Sequence, residues 1–178
     1  MSPDELLGLG LSQELVVIII SALPLFELRG ALPVAINLFG MPWYYAFPLA
    51  VAGNLIPVPF LLLFLSSFLR LLNKVGVLRT MITRLSERTR QRGKIAEKYE
   101  RIGLMLFVAV PLPVTGAWTG SLVAVLLGLS FRHSFFSIFA GIIIAGIIVT
   151  LLSLLGWAGA IIAGIGLASL ITFRLWKS

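Results

Sequence analysis

The sequence predicts an all-α integral membrane protein that forms a single membrane domain over residues 1–178. Its residues are 59% hydrophobic and 12% charged, and its mean hydropathy of +1.06 is far above that of soluble domains. Charge-free runs cover residues 30–69, 102–131 and 133–173, and each exceeds the roughly 20 residues that a transmembrane helix needs. A soluble enzyme, a secreted disulfide scaffold and a disordered tail are excluded.

The N-terminal half, residues 1–69, begins with a predicted interfacial helix. Ser2 and Glu5 form a capping box with Pro3 at the first helical position. The short apolar helix that follows is expected to end before Ser12, where the next segment begins. The start lacks the basic residues and the small-residue cleavage site of a signal peptide, so we expect the segment to be retained.

The next apolar stretch, residues 15–39, is long enough to span a bilayer but is interrupted at its centre. Pro24 and Pro33 bracket Glu27 and Arg29 within the sequence PLFELRGALP. Prolines break helices, and non-helical backbone at membrane depth needs a protein or aqueous environment. The pattern therefore predicts a broken helix over residues 15–39, which either spans the membrane fully or enters and leaves on one side as a re-entrant hairpin. The re-entrant hairpin is preferred because it leaves more of the basic residues on the cytoplasmic side.

A transmembrane helix is predicted over residues 43–69, which open with the aromatic run WYY that is typical of a membrane interface. Asn54, Pro57 and Pro59 interrupt this span. A kink is the favoured interpretation, and the alternative is that freed carbonyl groups line a water pathway.

The linker, residues 70–101, holds ten of the 14 basic residues. Apolar residues recur at spacings of three and four up to Arg90, which predicts an amphipathic helix on an anionic leaflet. The net charge of +7 therefore reflects a cytoplasmic loop that obeys the positive-inside rule, and no nucleic-acid partner is expected.

The C-terminal half contains a second predicted re-entrant hairpin at residues 102–130, broken at PLPVTGAWTG, residues 111–120. Transmembrane helices are predicted at residues 132–155 and 158–176. Small residues recur at every fourth position of the last helix, which favours packing within the chain or in a homodimer. They are Ala160, Gly164 and Ala168.

The two halves resemble each other and predict inverted repeats, each a hairpin followed by a span. In the hairpins the matched residues are 87 positions apart: Ala22, Pro24 and Leu25 match Ala109, Pro111 and Leu112. From the end of the hairpins into the spans they are 88 positions apart: Gly40, Phe47, Ala52 and Gly53 match Gly128, Phe135, Ala140 and Gly141. Opposed hairpins place 13 of the 14 basic residues on the cytoplasmic side of the cell membrane. The N-terminus is then outside, and residues 70–101 and the C-terminus are inside.

Glu27 and Arg29 are the only charged residues within the first hairpin, and each costs roughly 2.5–3.5 kcal/mol at the centre of a membrane helix. They either form a local ion pair that closes the hairpin or take part in function. The second hairpin carries no charge. We expect returning half-helices to start near Gly30 and Gly116, so that their N-termini favour an anionic group, with Arg29 supplying the charge for a phosphate.

These considerations define the candidate site. The predicted substrate and proton residues are Glu27, Arg29, Gly30, Pro33, Pro111, Pro113, Thr115, Gly116, Trp118 and Thr119, with Asn54, Arg132 and His133 as accessory residues. The sequence has no cysteine, its one histidine makes a metal site improbable, and it contains no catalytic set. We expect neither a cofactor nor enzymatic activity, and we expect membrane lipids as partners.

Through ELRGALP at residues 27–33 and PLPVTGAWTG at residues 111–120, the chain resembles the family of small multidrug export proteins over nearly its whole length. That family looks like a distant branch of the DedA superfamily. The resemblance implies paired re-entrant hairpins, movement of polyprenyl phosphates or phospholipids, and a match between Glu27 and the superfamily's acidic residue. Typical DedA proteins carry arginines in the second hairpin, whereas this chain has none there.

Three functions remain open. The first is a transporter of an anionic lipid headgroup, such as a polyprenyl phosphate or a phospholipid, driven by protons through Glu27. The second is proton-coupled export of small cationic drugs. The third is a membrane scaffold whose basic helix, residues 70–90, binds anionic lipid or a protein partner.

Overall fold

The computed structural model describes residues 10–72, 93–112, 115–156, 158–159, 161 and 164–165, and all regular structure in these residues is helical. The predicted interfacial helix, the basic helix after residue 72 and most of the span at residues 158–176 lie outside the described residues.

Seven α-helices and one π-helix have described bounds: α1 Gln13–Ala22, α2 Glu27–Pro33, π1 Val34–Leu38, α3 Trp43–Leu55, α4 Pro57–Leu72, α5 Gly93–Ala109, α6 Ala117–Leu126 and α7 Phe131–Leu154. The chain divides into two compact units. Unit 1 comprises Met1–Gly53 with Gly146–Ser178, and unit 2 comprises Asn54–Ala145.

In unit 1, α1 and α2 are joined by a tight turn at the predicted break. Ser12 caps α1, since its hydroxyl accepts a 3.4 Å hydrogen bond from the Leu15 amide. The turn over residues 23–26 closes with a 3.0 Å bond from the Glu27 amide to the Leu23 carbonyl. Helix α1 packs against both α2 and π1. The prediction of a helix broken around Pro24 is therefore confirmed.

Helix α2 ends at Pro33, but the chain stays helical there because π1 follows directly. Proline donates no backbone hydrogen bond to the residue four positions earlier, and the wider π turn follows directly. The Phe39 amide bonds the Val34 carbonyl at 2.9 Å across five residues. Gly40, at φ +64°, then ends the hairpin in the left-handed conformation that glycine adopts readily.

Helix α3 crosses α1 at close range. The Ser21 hydroxyl donates a hydrogen bond to the Ala50 carbonyl, and Gly53 lies directly over Ile18. Near the other end of α1, the pKa of the partly exposed Glu14 is lowered by its own backbone amide, by the Ser12 hydroxyl and by a hydrogen bond from Tyr45. The beginnings of α1 and α3 therefore lie beside each other.

Unit 2 has a corresponding contact. Gly141 of α7 lies over Met105 and Val108 of α5, as Gly53 lies over Ile18 and Ser21 in unit 1. These contacts occupy the matched positions of the repeat, 87 residues apart in the hairpins and 88 in the spans. Helix α6 packs against α5 and α4.

The helix ends match as well. Helix α7 starts at Phe131, 88 residues after α3 starts at Trp43. The hairpin of unit 2 ends at Gly128, at φ +71°, which is 88 residues after Gly40. The two halves of the chain therefore share both their order of helices and the glycines that shape it.

In the part of the chain that the structure describes, two helical segments are long and apolar enough to cross a membrane, Trp43–Leu65 and Phe131–Leu154. Only 33% and 39% of their most apolar windows are buried within the protein, whereas a core helix of a soluble domain is mostly buried. Large apolar side chains are exposed along them, among them Phe60, Phe64 and Phe136. Lipid is the environment that such surfaces require, so the chain is a membrane protein.

The structure refines the bounds of these spans. A turn at Ile56 separates α3 from α4, which confirms an interruption next to Asn54 and Pro57 within the predicted span at residues 43–69. Helix α7 agrees with the predicted span at residues 132–155 to within one residue.

Candidate functional site

The centre of the first hairpin holds an ion pair. A guanidinium nitrogen of Arg29 lies 2.9 Å from a carboxylate oxygen of Glu27, a distance typical of a charge-assisted hydrogen bond. The Glu27 side chain is 5% exposed and that of Arg29 19%. The guanidinium is therefore the more accessible partner.

The backbone of Glu27 explains how this pair forms. Residues two positions apart point in different directions on an α-helix and do not normally meet. Glu27 has φ +49°, and it is the only residue other than glycine with positive φ in the described part of the chain. This left-handed conformation at the first residue of α2 departs from helical spacing and lets its carboxylate meet Arg29. Such backbone costs about 1–2 kcal/mol and is often found at functional sites.

Gly30 and Pro33 shape the hairpin around the pair. A Cβ atom at Gly30 would lie 2.9 Å from the Cβ atom of Phe26, so glycine makes room for that side chain. The prediction that the returning helix starts near Gly30 is wrong by three residues. The helix starts at Glu27, because the turn over residues 23–26 closes as soon as Pro24 is passed.

The second hairpin, in unit 2, is closed by threonines. The Thr115 hydroxyl contacts the carbonyls of Val110 at 2.7 Å and Leu112 at 3.0 Å. The Thr119 hydroxyl accepts a 2.9 Å bond from the Gly116 amide and so caps α6. Helix α6 begins directly after Gly116, as predicted. Both threonines therefore stabilise the loop, and Pro111 lies in the same loop.

Trp118 lines an open apolar groove on unit 2 with a volume of about 680 Å³. The other lining residues belong to α4 and include Phe60, Phe64 and Ser67. Trp118 is placed here because α6 packs against α4. The groove suits an apolar or aromatic group.

The accessory residues have distinct environments. Asn54 is 1% exposed, and neither of its side-chain amide atoms has a hydrogen-bond partner among the described residues. A ring nitrogen of His133 lies 2.8 Å from the Ser130 hydroxyl at the start of α7, and Arg132 is exposed beside it. Pro113 lies outside the described residues.

The predicted site residues thus fall into two groups. Glu27, Arg29, Gly30 and Pro33 come together in unit 1, and the remaining described ones belong to unit 2. Sequence reasoning missed Thr150, whose side-chain oxygen is buried without a hydrogen-bond partner among the described residues. The feature of the sequence that could have indicated Thr150 is a polar side chain within the apolar run of α7.

Among the residues that the structure describes, no group of three or more histidine, cysteine, aspartate or glutamate residues is close enough to hold a metal ion.

The comparisons with known proteins fit a membrane transporter. A family model described as "Putative small multi-drug export protein" matches residues 27–148, from the buried glutamate of α2 to near the end of α7. No curated protein and no solved structure matches the chain. Since the matched region covers more than half of the sequence and both hairpin centres, the chain belongs to the family of small multi-drug export proteins.

Proposed function

We propose that this protein exports an amphiphile with an anionic headgroup, a lipid phosphate such as a polyprenyl phosphate or a phospholipid being the favoured class, and that export is coupled to protons through Glu27. The observation that carries the proposal is the 2.9 Å pair between Glu27 and the more exposed Arg29. Ionisable residues within membrane segments are expensive and usually mark transport pathways.

The two partners of the pair differ in how their charge can be removed. Arg29 stays protonated at all relevant pH values, whereas a proton can neutralise Glu27. Protonation of Glu27 frees the guanidinium for a substrate phosphate, which it can bind in a bidentate manner. Loss of that proton restores the internal pair and expels the anion.

A substrate cation would meet a less favourable site. It would compete with Arg29 for a single carboxylate and would leave the guanidinium without its counter-ion at low dielectric. The pair therefore favours an anionic headgroup.

We further propose that both hairpins are re-entrant and opposed in orientation. Helix α1 has 10 residues and is about 15 Å long, half of the ~30 Å hydrocarbon core. The contact between Glu14 and Tyr45 supports entry and exit of the first hairpin on one side, because it joins the starts of α1 and α3. Glu14 and Arg101 occupy matched positions in the two halves. Under the positive-inside rule, the acidic residue suits the external face of the membrane and the basic residue suits the cytoplasmic face.

The test is translocation of a labelled polyprenyl phosphate by the purified protein in proteoliposomes, with and without a pH gradient. Wild type is expected to move the lipid and to respond to the gradient. Glu27→Gln is expected to abolish the response, because glutamine cannot take up the proton. Arg29→Gln is expected to reduce movement at least tenfold, the equivalent of about 1.4 kcal/mol of lost headgroup binding.

Glu14→Gln is the matched control, since Glu14 is a partly exposed carboxylate in the same unit. It is expected to behave as wild type. Lipid movement that persists in Arg29→Gln, or a pH response that persists in Glu27→Gln, would contradict the assigned roles.

A second candidate function, export of cationic drugs, is favoured by the aromatic groove of unit 2 and by the family's description. Phe64 and Trp118 offer ring faces that attract organic cations. In this reading the drug binds the groove and does not displace Arg29 from Glu27.

Efflux of a fluorescent organic cation from cells that express the protein tests this candidate. If it holds, Trp118→Ala and Phe64→Ala each slow efflux about fivefold, in line with a cation–π contribution near 1 kcal/mol. Phe136→Ala serves as control, because Phe136 is equally exposed on α7 but does not line the groove. Equal efflux in all three variants would exclude the groove as the drug site.

A further inference from the structure

Asn54 is a buried polar residue in a membrane span. Its side chain is among the largest that are fully buried, and both its oxygen and its nitrogen lack a partner among the described residues. Buried amides are normally satisfied, and hydrocarbon offers neither donor nor acceptor.

Three buried serines of the described chain show the usual solution. The hydroxyls of Ser121, Ser134 and Ser153 each bond the carbonyl four residues earlier on their own helix. A carboxamide next to a helix break has no such simple arrangement. Asn54 therefore differs in kind from these serines.

The backbone beside Asn54 is also short of donors. A turn at Ile56 separates α3 from α4, and neither Pro57 nor Pro59 has an amide hydrogen. Pro59 thereby leaves the Leu55 carbonyl without its α-helical donor. The unpartnered amide of Asn54 and a carbonyl that has lost its α-helical donor are therefore neighbours in the chain.

The repeat supplies an internal comparison. The position that matches Asn54 in the second half is Ile142, which is 0% exposed in an unbroken helix. An apolar side chain therefore fits this position of the fold. The first half has both a polar residue and a helix break at this position, and the second half has neither.

We propose that Asn54 and the adjoining Leu55 carbonyl bind water inside the membrane span. Water can donate to the carboxamide oxygen and to the carbonyl and can accept from the amide nitrogen, whereas a metal cation would leave that nitrogen unsatisfied. The site hydrates the span at the helix break. It does not depend on which substrate the protein exports.

Cysteine accessibility tests this site in a chain that has no native cysteine. Asn54→Cys and Ile142→Cys are each treated with a small, charged methanethiosulfonate reagent in proteoliposomes. The thiol at position 54 is expected to react at least about tenfold faster, because only hydrated thiols ionise readily. Equal rates at the two positions would overturn the proposal.

Radiolytic hydroxyl-radical labelling of the wild-type protein provides a second measurement that needs no variant. Radicals form from water molecules and oxidise the side chains next to them. Oxidation of Leu55 and Pro57 above that of Ile142 and Ile143 is the expected result. Labelling of the two segments to the same extent would show that the break is dry and would refute the water site.

Discussion

Arg29→Leu is expected to lower the stability of the folded protein by about 3 kcal/mol at neutral pH. The substitution removes the cation 2.9 Å from the Glu27 carboxylate, which is only 5% exposed. A buried charge that loses its counter-ion costs more than the pair contributes, because its desolvation is no longer offset. Unfolding of the purified protein in detergent, followed by circular dichroism, measures the loss.

The double variant Glu27→Gln/Arg29→Leu is the control, because it removes both charges. It is expected to be more stable than Arg29→Leu alone, and the loss in the single variant is expected to shrink at acidic pH, where protonation neutralises Glu27. An Arg29→Leu variant as stable as wild type, with no dependence on pH, would show that the pair is solvated and carries little energy.

The places where the helices break could be predicted from the sequence because they depend on local chemistry. Pro24, Pro57 and the segment that contains Pro111 all lie at observed interruptions, where proline lacks the amide hydrogen that a continuous helix needs. Pro48 lies inside α3 and Pro33 is followed directly by π1, so a proline alone does not predict a break. The matched glycines of the two halves likewise act through their own backbone or through the absence of a side chain. Gly40 and Gly128 adopt positive φ.

Features that arise from packing could not be predicted in this way. The pattern around Pro33 gives no sign that the chain continues as a π-helix that packs against α1. The sequence also assigned Thr115 and Thr119 to a substrate site. That assignment stays a prediction, and the structure adds that both hydroxyls contact the nearby backbone, which composition alone does not predict.

The charged pair could be predicted from the sequence only in part. That Glu27 and Arg29 require compensation in an apolar stretch follows from the sequence, and an ion pair was one of its two interpretations. The positive φ of Glu27 does not follow, because a glutamate has no preference for that conformation. The positive φ is what lets two residues only two positions apart form an ion pair, and strained backbone of this kind is often found at functional sites.

Gly53→Ala and Gly141→Ala are each expected to destabilise the protein by about 2 kcal/mol. A Cβ atom at Gly53 would lie 2.6 Å from the Ile18 carbonyl oxygen, and one at Gly141 would lie 2.7 Å from the Met105 carbonyl oxygen. Both obstacles are backbone atoms of a packed helix, so neither can rotate away. Gly103→Ala is the control, because a Cβ atom there meets nothing within 4 Å and alanine favours the helix by about 1 kcal/mol.

Thermal unfolding of the three variants in the same detergent distinguishes a shared contact from two unrelated ones. If the hairpin and span of each half are held together in the same way, Gly53→Ala and Gly141→Ala lower the melting temperature by similar amounts while Gly103→Ala raises it. A loss in only one of the first two variants would mean that the two halves have matching helices but different packing. The repeat would then describe the order of the helices and not the contacts that stabilise each unit.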